Sequence, residues 1–361
     1  MALHPVKLPK SARNLFRIVL MQRLLLKALC ADPLDAEKID EVWLQSVWKN
    51  LDPAWIKKFC RKRKFSILEP IQTISKSSLA ARKSLYSEFC RQYRAKSLFN
   101  AGGRFRKLDT LTNVTPQLTT EIHRVFIRFY QFLSHDTNAG WNGYEFPTDR
   151  CISNKSYKAA LEDSNRPTVS VCPYCDGAND DPELDHYYAK ETFPFLSCSP
   201  WNLVPACHLC NKLSAKGSRI ALSSESPQPT TDWLHPFFRP ASAQVQIQLN
   251  GDPKNSIPNL YSPDPTEQIR LNNHFDLIGT LALRWTRVAS IHFDVLVHQV
   301  NQRLNANNSV DSLIKIKLQE HFDSRGQTPS SMVYAAVCQA VLDRRSGYIE
   351  EFATPNAPSL V

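Results

Sequence analysis

The chain has no long apolar run. Its most apolar stretch, Ile18 to Cys30, is interrupted by Gln22, Arg23 and Lys27. A membrane-spanning helix needs about 20 apolar residues, so no span and no membrane partner are expected. The same polar residues spoil the apolar core of a secretory signal. Acids are missing from the start as well: no Asp or Glu occurs before Asp32. An amphipathic basic helix explains that bias, with a transit peptide as the other reading. Pairing partners for many cysteines are missing too. Cys30, Cys60, Cys90, Cys151, Cys198 and Cys338 show no visible pairing among the 10 cysteines. A reducing compartment is the simpler inference, and the cytoplasm is the expected location. Internal repeats are lacking: Phe59-Cys-Arg61 echoes Phe89-Cys-Arg91, but the flanks do not match.

What is present is a basic N-terminal third. Residues 1–110 hold 23 Lys/Arg against 9 Asp/Glu, a balance of +14, while the rest hold 21 against 25, a balance of −4. A block like this suits a polyanion, either nucleic acid or an anionic surface. The densest part is Lys57, Lys58, Arg61, Lys62, Arg63 and Lys64, interleaved with Phe59 and Phe65. It is the best candidate for phosphate contact, against a solvated helix face. Arg104, Arg106 and Lys107 lie in a Gly-rich basic loop that could reach a backbone phosphate.

With 361 residues the chain suits two or three domains. Three regions are expected: a basic helical region over 1–150, a cysteine-rich core over 151–240, and a strand followed by helices over 241–361. In the first, helices are expected from Ser11 to about Cys30, over Asp35–Trp48, Ala54–Lys64 and Leu79–Lys96, and over Pro116–Ser134. Residues 138–166 read as a polar connector. Gln244 to Asn250 alternates strictly and reads as a strand. Residues 252–265 carry four Pro and read as a loop. Helices then run from Thr266 to about Arg345, broken near 305–308 and 326–329. The tail from Thr354 reads as frayed.

The chemistry gathers between Cys172 and Gly217. Cys172/Cys175 and Cys207/Cys210 are two Cys-x-x-Cys pairs. Each turn can aim two thiolates at one cation, and two turns complete the tetrahedral S4 site of structural zinc. A redox dithiol would explain one pair, not two. Two disulfides suit a secreted chain better than this one. Between the pairs the pattern is a hairpin, Glu183–Tyr188 with Asn202–Ala206, followed by a helix over His208–Arg219. That order puts Asp185, His186 and Asn211 within reach of one another. An imidazole is a neutral base near pH 7, and a carboxylate with an amide oxygen suits Mg²⁺. The bland alternative is a surface Asp-His pair and an Asn that caps a helix.

The segments CPYC, LDH, PWNLVP and CHLCN, in this order, resemble the HNH endonuclease family with its zinc-stapled ββα-metal core. The match covers Cys172 to Gly217. The resemblance implies a mainly α protein with a small α+β core, flanked by helical regions. It implies that Asp185 and Asn211 hold a catalytic Mg²⁺ or Mn²⁺, that His186 is the general base, and that Asn202 braces the loop and the base. The family often has Pro where this chain has Ala189. Its Lys-Gly usually follows the last Asn by about two fewer residues than Lys216-Gly217 does here, which leaves the role of Lys216 open. His235, in a His-Pro-aromatic segment, could sit near the site or pack beside its turn Pro. Chains with an HNH core inside helical extensions resemble nuclease subunits of bacterial anti-phage defence systems such as Septu-type effectors, and a protein partner such as an ATPase subunit is an expectation for this chain. The expected activity is phosphodiester hydrolysis, with DNA as substrate. The alternatives are a non-catalytic zinc module that binds nucleic acid and a protein that docks a partner.

Overall fold

The computed structural model describes residues 3–62, 65–103, 105–133, 154–166, 170–219, 230–304 and 307–353. Arg63, Lys64, Arg104 and most of the connector at 138–153 lie outside these residues, as does the tail from Thr354. The described chain is mainly helical, with three two-stranded antiparallel sheets.

The first helix, α1 (Ala12–Ala28), buries Leu15, Ile18, Val19, Gln22, Leu25 and Leu26. The buried face is an apolar stripe with two polar members, Asn14 and Gln22. The helix expected over Asp35–Trp48 is divided. Asp40 accepts a hydrogen bond from the Trp43 amide at 2.7 Å and caps a shorter helix, α2 (Glu41–Val47). A capping Asp is a start signal, and it wins over the apolar periodicity running through it. Next, α3 (Pro53–Cys60) opens on Asp52 and Pro53 and stops four residues before Lys64. The Arg128 guanidinium donates to the Phe59 carbonyl at 3.2 Å, so the last turn is capped by a buried cation. The chain then pairs β1 (Arg61–Lys62) with β2 (Phe65–Ser66). Helices α4 (Leu68–Lys76), α5 (Leu79–Tyr93) and α6 (Ala95–Asn100) follow, then α7 (Pro116–Leu133). Ile122, Val125, Phe126 and Phe129 lie at helical spacing along α7, and all four are buried. Within the connector, α8 (Asn154–Ser164) buries Tyr157 and Leu161.

The cysteine-rich segment gives β3 (Glu183–His186) and β4 (Leu203–Ala206), paired antiparallel with Asp185 opposite Val204 and His186 opposite Leu203. The following helix, α9 (His208–Asn211), is one turn long, not the twelve residues expected. The C-terminal part pairs β5 (Gln246–Leu249) with β6 (Pro258–Tyr261). Strand β6 lies inside the Pro-rich stretch read as a loop. Pro258 stands at its first position, where a strand tolerates a missing N–H. Then come α10 (Pro265–Leu277), α11 (Leu281–Arg303), α12 (Val310–Asp323), α13 (Ser331–Asp343) and α14 (Ile349–Ala353). Between α10 and α11 there is a break that the sequence pattern did not mark.

Two hydrophobic cores result. One joins α1–α5, α7 and α8 with Phe195, Cys198 and Leu203, while Ala95 and Phe99 of α6 pack into the other. The other joins the cysteines, Tyr174, Tyr187, Val204 and Ala206 to the C-terminal helices. The β3–β4 hairpin is the wall between them. Successive strand residues face opposite sides. Leu203 faces the first core, while Val204 and Ala206 face the second. No described helix is long and apolar enough to cross a membrane.

Candidate functional site

The four cysteines come together as their spacing requires. The sulfurs of Cys172, Cys175, Cys207 and Cys210 lie within 4.8 Å of one another, and all four residues are buried. Cys172 Sγ is 3.9 Å from Cys210 Sγ, and Cys175 Sγ is 3.7 Å from Cys207 Sγ. A tetrahedron with Zn–S arms of about 2.3 Å has edges of about 3.8 Å. The donor set therefore fits structural zinc. The first turn is closed by the Cys172 amide donating to the Gly177 carbonyl at 2.8 Å. Asp176 takes a positive φ of 61° there. The second turn is the N-terminus of α9, where the Cys210 amide donates to the Cys207 carbonyl at 2.9 Å.

A cation from α11 completes this centre. The Arg284 guanidinium donates to Cys210 Sγ at 3.2 Å and to Cys175 Sγ at 3.6 Å. Beside it, the Trp285 indole N–H donates to the Cys175 carbonyl at 2.9 Å. Four thiolates around Zn²⁺ carry two net negative charges, and a guanidinium offsets one of them in a buried setting. Arg284→Met is expected to speed zinc loss to a chelator by about 10-fold or more, the range found when partners of metal ligands are removed. Zinc release followed with a colorimetric chelator checks this, and an unchanged rate would leave Arg284 a packing role only.

Strand alternation separates the adjacent Asp185 and His186. Asp185 faces the zinc side and is 4% exposed. Its carboxylate accepts from Lys216 Nζ at 2.9 and 3.0 Å and from the Tyr174 hydroxyl at 2.8 Å. Lys216 Nζ also donates to the His186 carbonyl at 2.7 Å. His186 faces the other side. Its Nε2 lies 3.0 Å from the Ser197 carbonyl, and its ring meets the Tyr130 ring at 4.5 Å between centroids. A carbonyl only accepts, so Nε2 carries the proton and the lone pair of the neutral ring sits on Nδ1. Burial, with the nearby Lys190 charge, pushes the His186 pKa down to about 4.

Asn202 is 2% exposed and ties the loop after β3 to itself. Its Oδ1 accepts from the Tyr188 amide at 2.7 Å, and its Nδ2 donates to the Tyr188 and Leu196 carbonyls at 2.9 and 3.1 Å. Asn211 goes elsewhere. Its Nδ2 donates to Glu183 Oε2 at 2.7 Å, and His208 Nδ1 lies 2.7 Å from Glu183 Oε1. The structure thus brings Asn211 to Glu183 and His208, and not to the Asp185 carboxylate. His235 is a packed side chain. It is 1% exposed, stacks on Phe238 at 4.2 Å, and accepts from the Phe237 amide through Nδ1 at 3.2 Å.

The basic stretch is arranged differently from the pattern read in the sequence. Lys57 and Lys58 are exposed on α3, and Arg61 is exposed on the hairpin 3.5 Å from Glu41. Lys62 belongs to β1, but its side chain is outside the described residues. Phe59 does not stand among these cations. It is fully buried and stacks on Trp55 at 5.2 Å, so it offers no ring to a nucleobase. Arg106 is exposed with Glu88 at 3.6 Å, and Lys107 is half-buried.

Sequence reasoning did not assign Lys216, Tyr174, Glu183, His208 or Arg284 to the site. Tyr174, inside the first Cys-x-x-Cys turn, carried one usable signal, because a residue held between two metal ligands is fixed close to whatever they bind. Comparison with protein-family models, curated proteins and solved structures finds no match for this chain.

Proposed function

We propose that this chain is a zinc-stapled endonuclease of the HNH kind that hydrolyses phosphodiester bonds, with DNA as its substrate. The observation that carries the reading is the state of His186. A zinc-anchored hairpin holds a neutral imidazole whose Nε2–H is committed to the Ser197 carbonyl. That leaves Nδ1 to accept a proton from water. The oxygen of that water attacks phosphorus, a P–O bond forms, and the bond to the departing sugar oxygen breaks. The departing oxygen ends protonated by solvent.

The reading includes a Mg²⁺ or Mn²⁺ ion, and here the expected ligands do not fit. Both Asp185 oxygens already accept from the Lys216 ammonium, and Oδ2 also from the Tyr174 hydroxyl, so a divalent ion at this carboxylate would meet a cation already in place. No step is therefore routed through a divalent cation. The same ion pair favours a second reading, in which the zinc module is non-catalytic and the chain binds nucleic acid or docks a partner such as an ATPase subunit. Incubating the purified chain with supercoiled plasmid, with Mg²⁺ and with EDTA, separates the two. Nicked or linear product supports the nuclease, and intact plasmid across substrates and metals favours the binding module.

The polyanion in either reading meets the basic third of the chain. Neutralising Lys57, Lys58, Arg61, Lys62, Arg63 and Lys64 is expected to weaken DNA binding and flatten its salt dependence. Each lost phosphate contact removes about 0.9 from the log–log slope. Binding isotherms at several salt concentrations measure this, and an unchanged slope would place the contacts elsewhere.

A further inference from the structure

We propose that the cation carried by Asp185 is the ammonium of Lys216, and that this ion pair positions His186 instead of holding a divalent metal. Only the activity arm of the test rests on the nuclease reading.

Lys216 is completely buried. Its ammonium has three protons, and it has three acceptors: Asp185 Oδ1 at 3.0 Å, Asp185 Oδ2 at 2.9 Å and the His186 carbonyl at 2.7 Å. All its donors can be used, which is the condition for keeping a charge inside a protein. On the Asp185 side the carboxylate gains a third donor, the Tyr174 hydroxyl at 2.8 Å. A divalent ion at Asp185 would have to displace an ammonium that has no water to retreat to.

The turn that delivers Lys216 is built for that purpose. The Lys216 amide donates to the Cys210 carbonyl at 3.2 Å, and the Gly217 amide donates to the Lys212 carbonyl at 3.0 Å. Gly217 has a φ of +49°, and a Cβ there would come within 2.8 Å of the Leu213 carbonyl oxygen. The positive φ and the close approach both call for glycine. The turn therefore hangs from a zinc ligand, and its lysine reaches the backbone of the proposed base. His186 is held at two points: its carbonyl by Lys216 and its ring by the Ser197 carbonyl. Zinc, Cys210, Lys216 and His186 form one mechanical chain. Lys216 touches no reacting atom and acts through His186.

The test is a double-mutant cycle with Asp185→Asn, Lys216→Gln and the pair together. Thermal melting, zinc content and plasmid cleavage are read for each. A single change strands one buried charge, whereas the double change removes both. Each single variant is expected to keep its zinc, melt below the parent and lose about 10²-fold in kcat with KM little changed, as for a misplaced catalytic group. The double variant is expected to melt above either single variant and to recover much of the lost kcat, with the parent's Mg²⁺ dependence. Additive losses in melting temperature would overturn the proposal. So would a double variant that cuts no better than Asp185→Asn and needs far more Mg²⁺, because Asp185 would then be a metal ligand. If the parent cuts nothing, the nuclease reading fails, and the melting cycle alone still decides the ion pair.

Discussion

Removing zinc is expected to unfold the middle of the molecule, not merely to loosen one loop. A strong chelator at neutral pH should extract about one zinc per chain, as a single S4 site requires, and lower the melting temperature by about 10 °C or more. The free energy of zinc binding becomes folding free energy, on the order of 10–16 kcal/mol in zinc-finger peptides. Here the centre is not an appendage. Tyr174 lies inside the first turn and is fully buried, Trp285 bonds to the Cys175 carbonyl, and Arg284 bonds to two of the sulfurs. Without metal, burial raises the pKa of Cys172 and Cys210 well above the ordinary thiol range. Cys207→Ser should reproduce the effect, with zinc well below the parent's and a lower melting temperature. A soluble Cys207→Ser protein with full zinc and the parent's melt would disprove the site.

That centre was legible in the sequence because its geometry is local. Two Cys-x-x-Cys turns fix their own sulfur positions, and a short β-rich run on either side of a turn fixes a hairpin. The length of α9 was not legible. Leu209 and Leu213 have helical spacing, yet both are exposed, so the spacing reports no buried face. What ends α9 is the burial of Lys216 against Asp185, a contact across 31 residues of sequence. Asp185 and His186 mislead in the opposite way. Their adjacency suggested a shared site, but adjacent strand residues point apart. The rule was available from the sequence; the position of the cores that make it matter was not. Phe59 makes the same point. Its neighbours Lys57, Lys58 and Arg61 suggested a binding face, while Trp55, Trp48 and Phe129 packed around it decide its burial.

The other large effect is expected at His186. His186→Ala should lower cleavage by about 10²–10⁴-fold, the usual contribution of a positioned general base. Zinc content should not change, because the ring faces away from the cysteines and bonds to the Ser197 carbonyl. The pH profile carries a second, independent signature. Burial lowers the pKa of His186 from 6.5 to about 4, so the ring stays neutral well below pH 6. The neutral form is the base. The acid limb of the rate should therefore fall near pH 4 to 5, not near 6.5. Stability moves with the same sign. The unfolded chain binds a proton at His186 between about pH 6.5 and 4 that the folded chain does not, so stability falls as pH falls through that window. Melts and zinc content recorded at each pH separate loss of the base from loss of the fold. An acid limb near pH 6.5 in protein that is still folded and zinc-loaded would mean that another group takes the proton. If His186→Ala cuts as fast as the parent on every substrate the parent cuts, His186 is not the base, and the nuclease reading of this hairpin loses its main support.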